Sequence, residues 1–324
     1  MQEIVDVTIE NIAVSQRANL EVFSGTLQHL AQTDRDIIVV TSDSRGSGKL
    51  VPFGQKFPDQ IVEVGIAEQN LVGVAAGLAS AGKKVFAVSP ACFLTARALE
   101  QIKNDVAYSN NPVKLIGISA GVSYGALGST HHSLHDFAVL RTINNMIIVA
   151  PADNFETEQA ILLAAESDIP VYIRFGKKQM PMLSEDEKRF EFGKGRIVRE
   201  GSDVTIIGTG ETVAPALRAA EKLEREHNVA ATVVSMHTIK PLDYELLQNI
   251  AATGQPILTV EEHSVYGGLG EACASFLIQH DFHNRFKIIG IPDEYTVTGS
   301  QAEIFNHYGI SEGGIAAAAL GLVK

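Results

Sequence analysis

At 324 residues the chain is too long for one ordinary α/β layer and short for three, so its length predicts two domains of roughly 150 residues each. With 45% hydrophobic and 20% charged residues it is neither disordered, collagen-like nor coiled coil, and reads as a soluble α/β chain with a large core. A net charge of −12 argues against nucleic acid, because phosphate neutralisation needs a Lys/Arg surplus, and an anionic small substrate would require a local basic pocket.

Helix-like and strand-like segments alternate along the first part. Gln16–Leu30 has apolar residues at helical spacing, Asp36–Thr41 is a short β-rich run, and Ser42–Gly48 is a polar loop. Ile61–Gly65 reads as a strand and Glu68–Ser80 as an Ala/Gly-rich helix. Lys84–Val88 (strand), Thr95–Tyr108 (helix) and Val113–Ser119 (strand) follow, then a Gly-rich loop to Ser133. Met146–Ala150 (strand), Asn154–Glu166 (helix) and Val171–Phe175 (strand) complete the first half. Gly176–Gly195 is charged and aperiodic, which places a first domain over 1–180, a linker over 181–194 and a second domain over 195–324. There Val204–Gly208, Ala231–Ser235, Pro256–Glu261 and Phe286–Ile289 read as strands, with helices Val213–Glu226, Asp243–Ala252 and Gly268–Gln279 between them. The fold class is therefore α/β, two doubly wound domains with mostly parallel sheets.

The two cysteines, Cys92 and Cys273, form neither a disulfide framework nor a metal cluster. No apolar run reaches the ~18–20 residues of a membrane span, and the start MQEIVDVTIE lacks a basic segment before an apolar block, so the chain reads as cytoplasmic with no membrane partner. VTIIGTG (Val204–Gly210) opens a helix as dinucleotide loops do, but lacks the full GxGxxG and reads as a packing turn. His131, His132, His135 and Asp136 suggest zinc at first sight, yet adjacent histidines diverge and no third ligand is evident, which leaves solvated or substrate-contacting histidines and no metal site. Glu68, after a strand and at the start of an apolar helix, is either a first-turn acid favoured by the helix dipole or a desolvated carboxylate that shares a proton with a heterocyclic nitrogen.

Three blocks carry a family resemblance. FPDQIVEVGIAEQNLVGVAAGLASAGKKVFAV (Phe57–Val88) resembles the pyrimidine-domain signature of thiamine-diphosphate enzymes of the transketolase and deoxyxylulose-phosphate synthase group. GVSYGALGSTHHSLHDFAVLRTI (Gly121–Ile143) is similar to their Gly-rich, THQ-containing loop. The segments SMHTIKPLD and LTVEEHSVYGGLGEA (within Ser235–Ala272) resemble the C-terminal domain shared by transketolases and 2-oxoacid dehydrogenase β subunits. The two domains would then be a thiamine-diphosphate pyrimidine-binding domain and a transketolase C-terminal domain.

The resemblance implies thiamine diphosphate as cofactor and transfer of a two-carbon ketol unit between a ketose phosphate and an aldose phosphate. Glu68 would hydrogen-bond N1′ of the aminopyrimidine, Phe93 would stack on that ring, and His131 would contact the donor ketose and move protons. Arg174 would grip the sugar phosphate, with Ser47 and Arg45 helping from the loop Thr41–Gly48. No GDG motif occurs in the chain, so a separate N-terminal transketolase subunit would hold the diphosphate and its Mg²⁺ or Ca²⁺, in an assembly built on a core dimer, α2β2. Leu127 stands where many transketolases have an acid, and Ser119 where a histidine is expected, which points to a branched or modified sugar phosphate. The competing readings are a decarboxylating subunit, of the deoxyxylulose-phosphate synthase or 2-oxoacid dehydrogenase β kind, and a non-catalytic partner subunit.

Overall fold

The computed structural model describes residues 17–183 and 189–324, so Gln16 of the first expected helix and residues 184–188 of the expected linker lie outside the described residues. The first half runs α1 (Asn19–Thr33), β1 (Ile37–Thr41), α2 (Val51–Lys56), β2 (Ile61–Glu63), α3 (Glu68–Ser80), β3 (Lys84–Pro90) and α4 (Ala91–Arg97). A short α5 (Leu99–Gln101) continues as a π-helical stretch, Ile102–Tyr108, and then come β4 (Lys114–Ile118), α6 (Asp136–Arg141), β5 (Ile147–Val149), α7 (Asn154–Glu166) and β6 (Val171–Phe175). The second half is β7 (Arg196–Arg199), β8 (Val204–Gly208), α8 (Val213–His227), β9 (Ala231–Ser235), β10 (Thr238–Lys240), α9 (Tyr244–Ala252), β11 (Ile257–Ser264), α10 (Leu269–Gln279), β12 (Phe286–Ile291), α11 (Gln301–His307) and α12 (Glu312–Val323).

Two sheets result, ordered β10-β5-β6-β4-β3-β1-β2 and β12-β11-β8-β9-β7. All pairings are parallel except those of β10 with β5 and of β7 with β9. In the first sheet alternate residues face opposite cores, as strands buried on both sides require. Ile37, Val39, Phe86, Val88, Ile116, Ile118, Ile173 and Phe175 pack under α1 and α7, whereas Ile38, Val40, Val85, Ala87, Leu115 and Tyr172 pack under α3 and α4.

That second core does not stop at the domain boundary. It continues through Ile207, Val234, Met236, Leu247 and Cys273 of the second half. β10, a strand of the second half, completes the edge of the first sheet, with Thr238 opposite Val149. The seven-stranded sheet therefore draws on both sides of the expected linker. β10, β7, α2, α6, α11 and α12 lack the sustained apolar period that marks an element in the sequence. β10 and β7 are three and four residues long, and α12, EGGIAAAALGLV, is apolar nearly all round.

Close packing at the middle of the first sheet is testable at Gly117, where an added Cβ would overlap the hydroxyl of Tyr172 on the neighbouring strand. Tyr172 is fully buried and its hydroxyl donates to Asp136 Oδ2 at 2.7 Å, so the ring has no free direction to yield. Gly117→Ala should lower stability by about 1–3 kcal/mol, read as a shift of the urea midpoint. A midpoint equal to that of the native chain would show that the Tyr172 ring can move aside.

Candidate active site

The strand ends β2, β3, β4 and β6 of the first sheet open into loops and helix starts that gather the candidate residues. Glu68 is the first residue of α3, reached from β2 through Gly65 at φ 74°. Its carboxylate is 4% exposed and sits in the first turn, where the helix dipole favours negative charge. One partner is present: Arg97 Nη1 donates to Glu68 Oε1 at 2.8 Å. Among the described residues no hydrogen bond reaches the other oxygen, and the carboxylate lines a cleft of about 520 Å³ with Ile66, Ala67, Gln69, Asn70 and Arg97.

Phe93 and Arg97 are one turn apart on α4 and share a face. The Arg97 guanidinium lies 4.2 Å from the Phe93 ring centroid while it holds Glu68. A flat, cationic, N–H-donating group thus already rests on both the buried carboxylate and the aromatic face. A flat ring that donates an N–H would meet the same two surfaces, so Glu68 and Phe93 would fit an aminopyrimidine.

His131 reaches the same place from the Gly-rich loop. The loop is closed by a bridge between Gly121 and Ser133, and it turns at Gly125 and Gly128 with φ of 51° and 71°. His131 N–H donates to Gly128 O at 2.9 Å, and its ring stands edge-on to Phe93 and to Tyr124, with centroids 5.3 and 5.4 Å apart. Glu68, Phe93 and His131 are thereby linked through Arg97 and ring contacts into one constellation. The neighbouring His132 turns inward instead and is 3% exposed. Among the described residues no group of three side chains could hold a metal ion.

Arg174, expected as the phosphate grip, is 6% exposed. Nη1 donates to both oxygens of Asp136 at 2.9 and 3.2 Å, Nη2 donates to the backbone carbonyl of Glu262 at 2.8 Å, and the guanidinium covers the Phe137 ring at 4.3 Å. Strand alternation puts it on the same face as Tyr172, the face packed under α3 and α4. Removing Arg174 would leave Asp136 in the core with the Tyr172 hydroxyl as its hydrogen-bond donor and without its cation, a cost of several kcal/mol. Ser47 and Arg45 also turn elsewhere: the Ser47 hydroxyl donates to Ser44 O at 3.1 Å, and Arg45 Nε lies 3.4 Å from Glu63 Oε2. Among the described residues neither makes a hydrogen bond or ion pair with Glu68, Phe93 or His131.

The cation that does stand beside the constellation is Lys177, two residues beyond β6. Its ammonium lies 3.7 Å from the centroid of the Tyr124 ring, the ring that meets His131, and partial burial lowers its pKa. The sequence signal is the pair Lys177–Lys178 directly after the strand, hidden at the start of a charged, aperiodic stretch. Leu127 is exposed at the tip of the loop, and Ser119 is buried just past the end of β4 with φ 54°. Positive φ in a non-glycine residue beside a site is stored strain.

Behind the loop three carboxylates, Asp136, Glu262 and Glu211, surround the one guanidinium of Arg174. Glu262 Oε1 accepts Val122 N–H at 2.9 Å and Gln301 Nε2 at 2.8 Å, and the same Gln301 nitrogen also donates to Glu211 Oε2 at 2.7 Å. Burial, reinforced by the Glu211 charge, pushes Glu262 up to about 8. An unfolded glutamate ionises near 4.5, so from there to about 8 the folded chain holds the extra proton. The stabilisation is complete below 4.5 and is lost as pH rises through about 8. Burial holds His263 at about 4, which has the opposite effect, lost as pH falls from 6.5 towards 4. Above pH 6.5 the glutamate effect stands without that opposition. The thermal midpoint should fall from about pH 6.5 to 8.5, and Glu262→Gln, which mimics the protonated carboxyl, should flatten that slope. An equal slope in the variant would place the lost proton on another group.

Residues 15–182 match the family described as transketolase, pyrimidine binding domain, and residues 193–315 match transketolase, C-terminal domain. A protein of Phocaeicola vulgatus, named as one of the subunits of an apulose-4-phosphate transketolase, is 49% identical over 303 residues, covering 93% of this chain and 96% of that protein. The 1-deoxy-D-xylulose-5-phosphate synthase of Syntrophus aciditrophicus is 39% identical over 301 residues, covering 92% of this chain but 46% of the synthase. Among solved structures, a split gene transketolase described as an inactive β4 tetramer matches with a TM-score of 0.85 at 37% identity, covering 95% of this chain and 98% of that one.

Proposed function

The chain belongs to the transketolase family, and from that premise we propose that it is the pyrimidine-binding subunit of a two-chain, thiamine-diphosphate-dependent transketolase that moves a two-carbon ketol unit between sugar phosphates. The observation that carries this reading is the buried Glu68 carboxylate at the start of α3, with Phe93 beside it and a planar cation spanning the two. When bound, thiamine diphosphate supplies the electron sink for carbon–carbon cleavage. Glu68 and Phe93 would hold its pyrimidine: the carboxylate holds a proton shared with a ring nitrogen, and the aromatic face fixes the plane. His131, half-buried at the edge of Phe93, moves protons at the hydroxyls of the sugar. Lys177, two residues beyond β6 with its ammonium over the Tyr124 ring, is the cation we assign to the phosphate contact in place of Arg174.

The diphosphate and its Mg²⁺ or Ca²⁺ fall to the partner subunit, since the sequence holds no GDG motif. Ile66 is 74% exposed on the rim of the Glu68 cleft, and Leu127 is 55% exposed on the His131 loop; both are apolar side chains of the kind a partner surface covers. The relative from Phocaeicola vulgatus is named for apulose 4-phosphate, and the loss of an acid at Leu127 supports a branched ketose phosphate as substrate here.

Purification with the diphosphate-binding partner, followed by assay on a panel of straight-chain and branched ketose phosphates, tests the assignment. This chain alone should give no ketol transfer, and the pair should give it with thiamine diphosphate. Carbon dioxide release from pyruvate by the pair would favour the synthase-like reading instead. In the pair, Glu68→Gln should slow H/D exchange at the cofactor C2 by roughly a hundredfold or more with little change in thermal midpoint. An unchanged exchange rate would remove Glu68 from proton transfer.

Lys177→Ala should raise KM for phosphorylated sugars by about tenfold or more over its effect on their unphosphorylated counterparts. Arg174→Ala, by contrast, should lower stability by the ~3–5 kcal/mol of a broken buried pair, read as a sharp fall in the thermal midpoint. Equal effects of Lys177→Ala on both sets of sugars would assign the phosphate contact elsewhere.

A further inference from the structure

Of the two adjacent histidines, the proposed reaction uses only His131, and the other carries the more complete set of hydrogen bonds. His132 Nε2 is 3.0 Å from the carbonyl of Gly125, and its Nδ1 is 2.6 Å from the hydroxyl of Thr296. Thr296 comes from the second half of the chain, from the segment between β12 and α11 that crosses over the Gly-rich loop. Its hydroxyl also lies 2.9 Å from that of Ser129, and its backbone N–H donates to Ser129 Oγ at 2.9 Å.

A single proton arrangement satisfies the neutral ring. A carbonyl can only accept, so His132 carries its proton on Nε2 and Nδ1 is an acceptor. The Thr296 hydroxyl must then donate to Nδ1 and accept from the Ser129 hydroxyl, while Ser129 oxygen accepts the Thr296 N–H. Burial lowers the His132 pKa and keeps the ring neutral, as this arrangement requires. The chain is also tied to the turn that carries His131, since the N–H groups of His131 and His132 both donate to Gly128 O, at 2.9 and 3.1 Å. With His132 locked inward, its neighbour is left facing Phe93 and Tyr124.

We infer that Thr296 is a positioning residue for the ketol transfer reaction: by orienting the His132 ring across the domain junction, it sets the place of His131 in the cleft. The loop is shaped for this contact. A Cβ at Gly128 would lie 3.1 Å from the Thr298 methyl, and a Cβ at Gly125 would lie 2.6 Å from Gly299 O. The same segment that brings Thr296 therefore packs directly on both turns of the loop. The inference rests on the reading of His131 as the histidine that faces the sugar.

The test uses the assembled two-chain enzyme with Thr296→Val, Thr296→Ser, Ser129→Ala and His131→Ala. Thr296→Val keeps the shape and removes the hydroxyl. It should lower kcat about tenfold or more, leave KM within about twofold, and leave H/D exchange at the cofactor C2 at the native rate. Thr296→Ser should recover kcat to within about threefold, and Ser129→Ala should show a smaller loss in the same direction. Nitrogen-15 NMR of histidine-labelled chain should show His132 as the Nε2–H tautomer, untitrated across neutral pH, and should show that signature lost in Thr296→Val.

A native kcat in Thr296→Val overturns the inference, as does a loss matched by an equal loss in C2 exchange and thermal midpoint, which would mark Thr296 as merely structural. If Thr296→Val does not assemble, a native kcat and native His132 signature in Ser129→Ala overturn it equally. The arms separate it from the reading beneath it. A native kcat in His131→Ala would sink the role of His131 itself, whereas a slow His131→Ala beside a native Thr296→Val sinks only the positioning role of Thr296.

Discussion

The structure depends on one buried guanidinium. Arg174 leaves β6 on the face packed under α3 and α4 and ties Asp136, at the start of α6, to Glu262 at the end of β11. The Gly-rich loop has its two ends on these partners: Glu262 holds Val122 N–H at one end, and Asp136 follows the loop at the other. A desolvated charge of this kind is a poor source of net stability but a strong source of registry, because every alternative arrangement leaves a carboxylate or a guanidinium bare. Gly121 belongs to the same constraint, since any side chain there would fall on the Glu262 carboxyl.

A second buried ion cluster repeats the device on the far side of the sheet. Arg196, on β7, donates to Glu156 at 2.8 Å and lies 3.7 Å from Asp153, the cap of α7. Together with β10 at the edge of the first sheet and the core that runs through both halves, these pairs make the C-terminal domain part of the scaffold of the candidate site rather than an appendage. The Gly-rich loop emerges from one domain and is shaped by the other.

This arrangement explains what could be read from the sequence and what could not. Strand and helix alternation was legible because parallel strands buried on both faces are short apolar runs between periodic helices. Glu68 and His131, which the structure brings together with Phe93, each sit next to a local feature, a helix start and a glycine-rich turn, whereas Phe93 was singled out through the family resemblance alone. For Arg174 a position at a strand end says nothing about the partners its side chain meets, here Asp136, the Glu262 carbonyl and the Phe137 ring. Counting by twos from Phe175, which packs under α7, would have put Arg174 with Tyr172 on the opposite face. Thr296 and Lys177 were invisible for another reason. Their meaning comes from contacts with the loop across 164 and 53 residues of chain respectively, which no local pattern encodes.

The Glu68 site itself is a balance of burial against exposure. The carboxylate side chain is 5% exposed and Arg97 48% exposed, so the pair joins an acid that cannot be left bare to a cation that water solvates almost as well. A half-exposed ion pair contributes about 1 kcal/mol or less, too little to hold the guanidinium against a better-placed donor. Removing Arg97 without replacement is costly only from the side of Glu68, which would lose the one hydrogen bond made to its side chain among the described residues. A ring nitrogen that supplies a hydrogen bond to the same oxygen, and a flat face to Phe93, answers both needs at once and releases Arg97 to solvent. The constellation is therefore open to a heteroaromatic donor and closed to an apolar ring, which could satisfy Phe93 but would leave a buried charge without a partner.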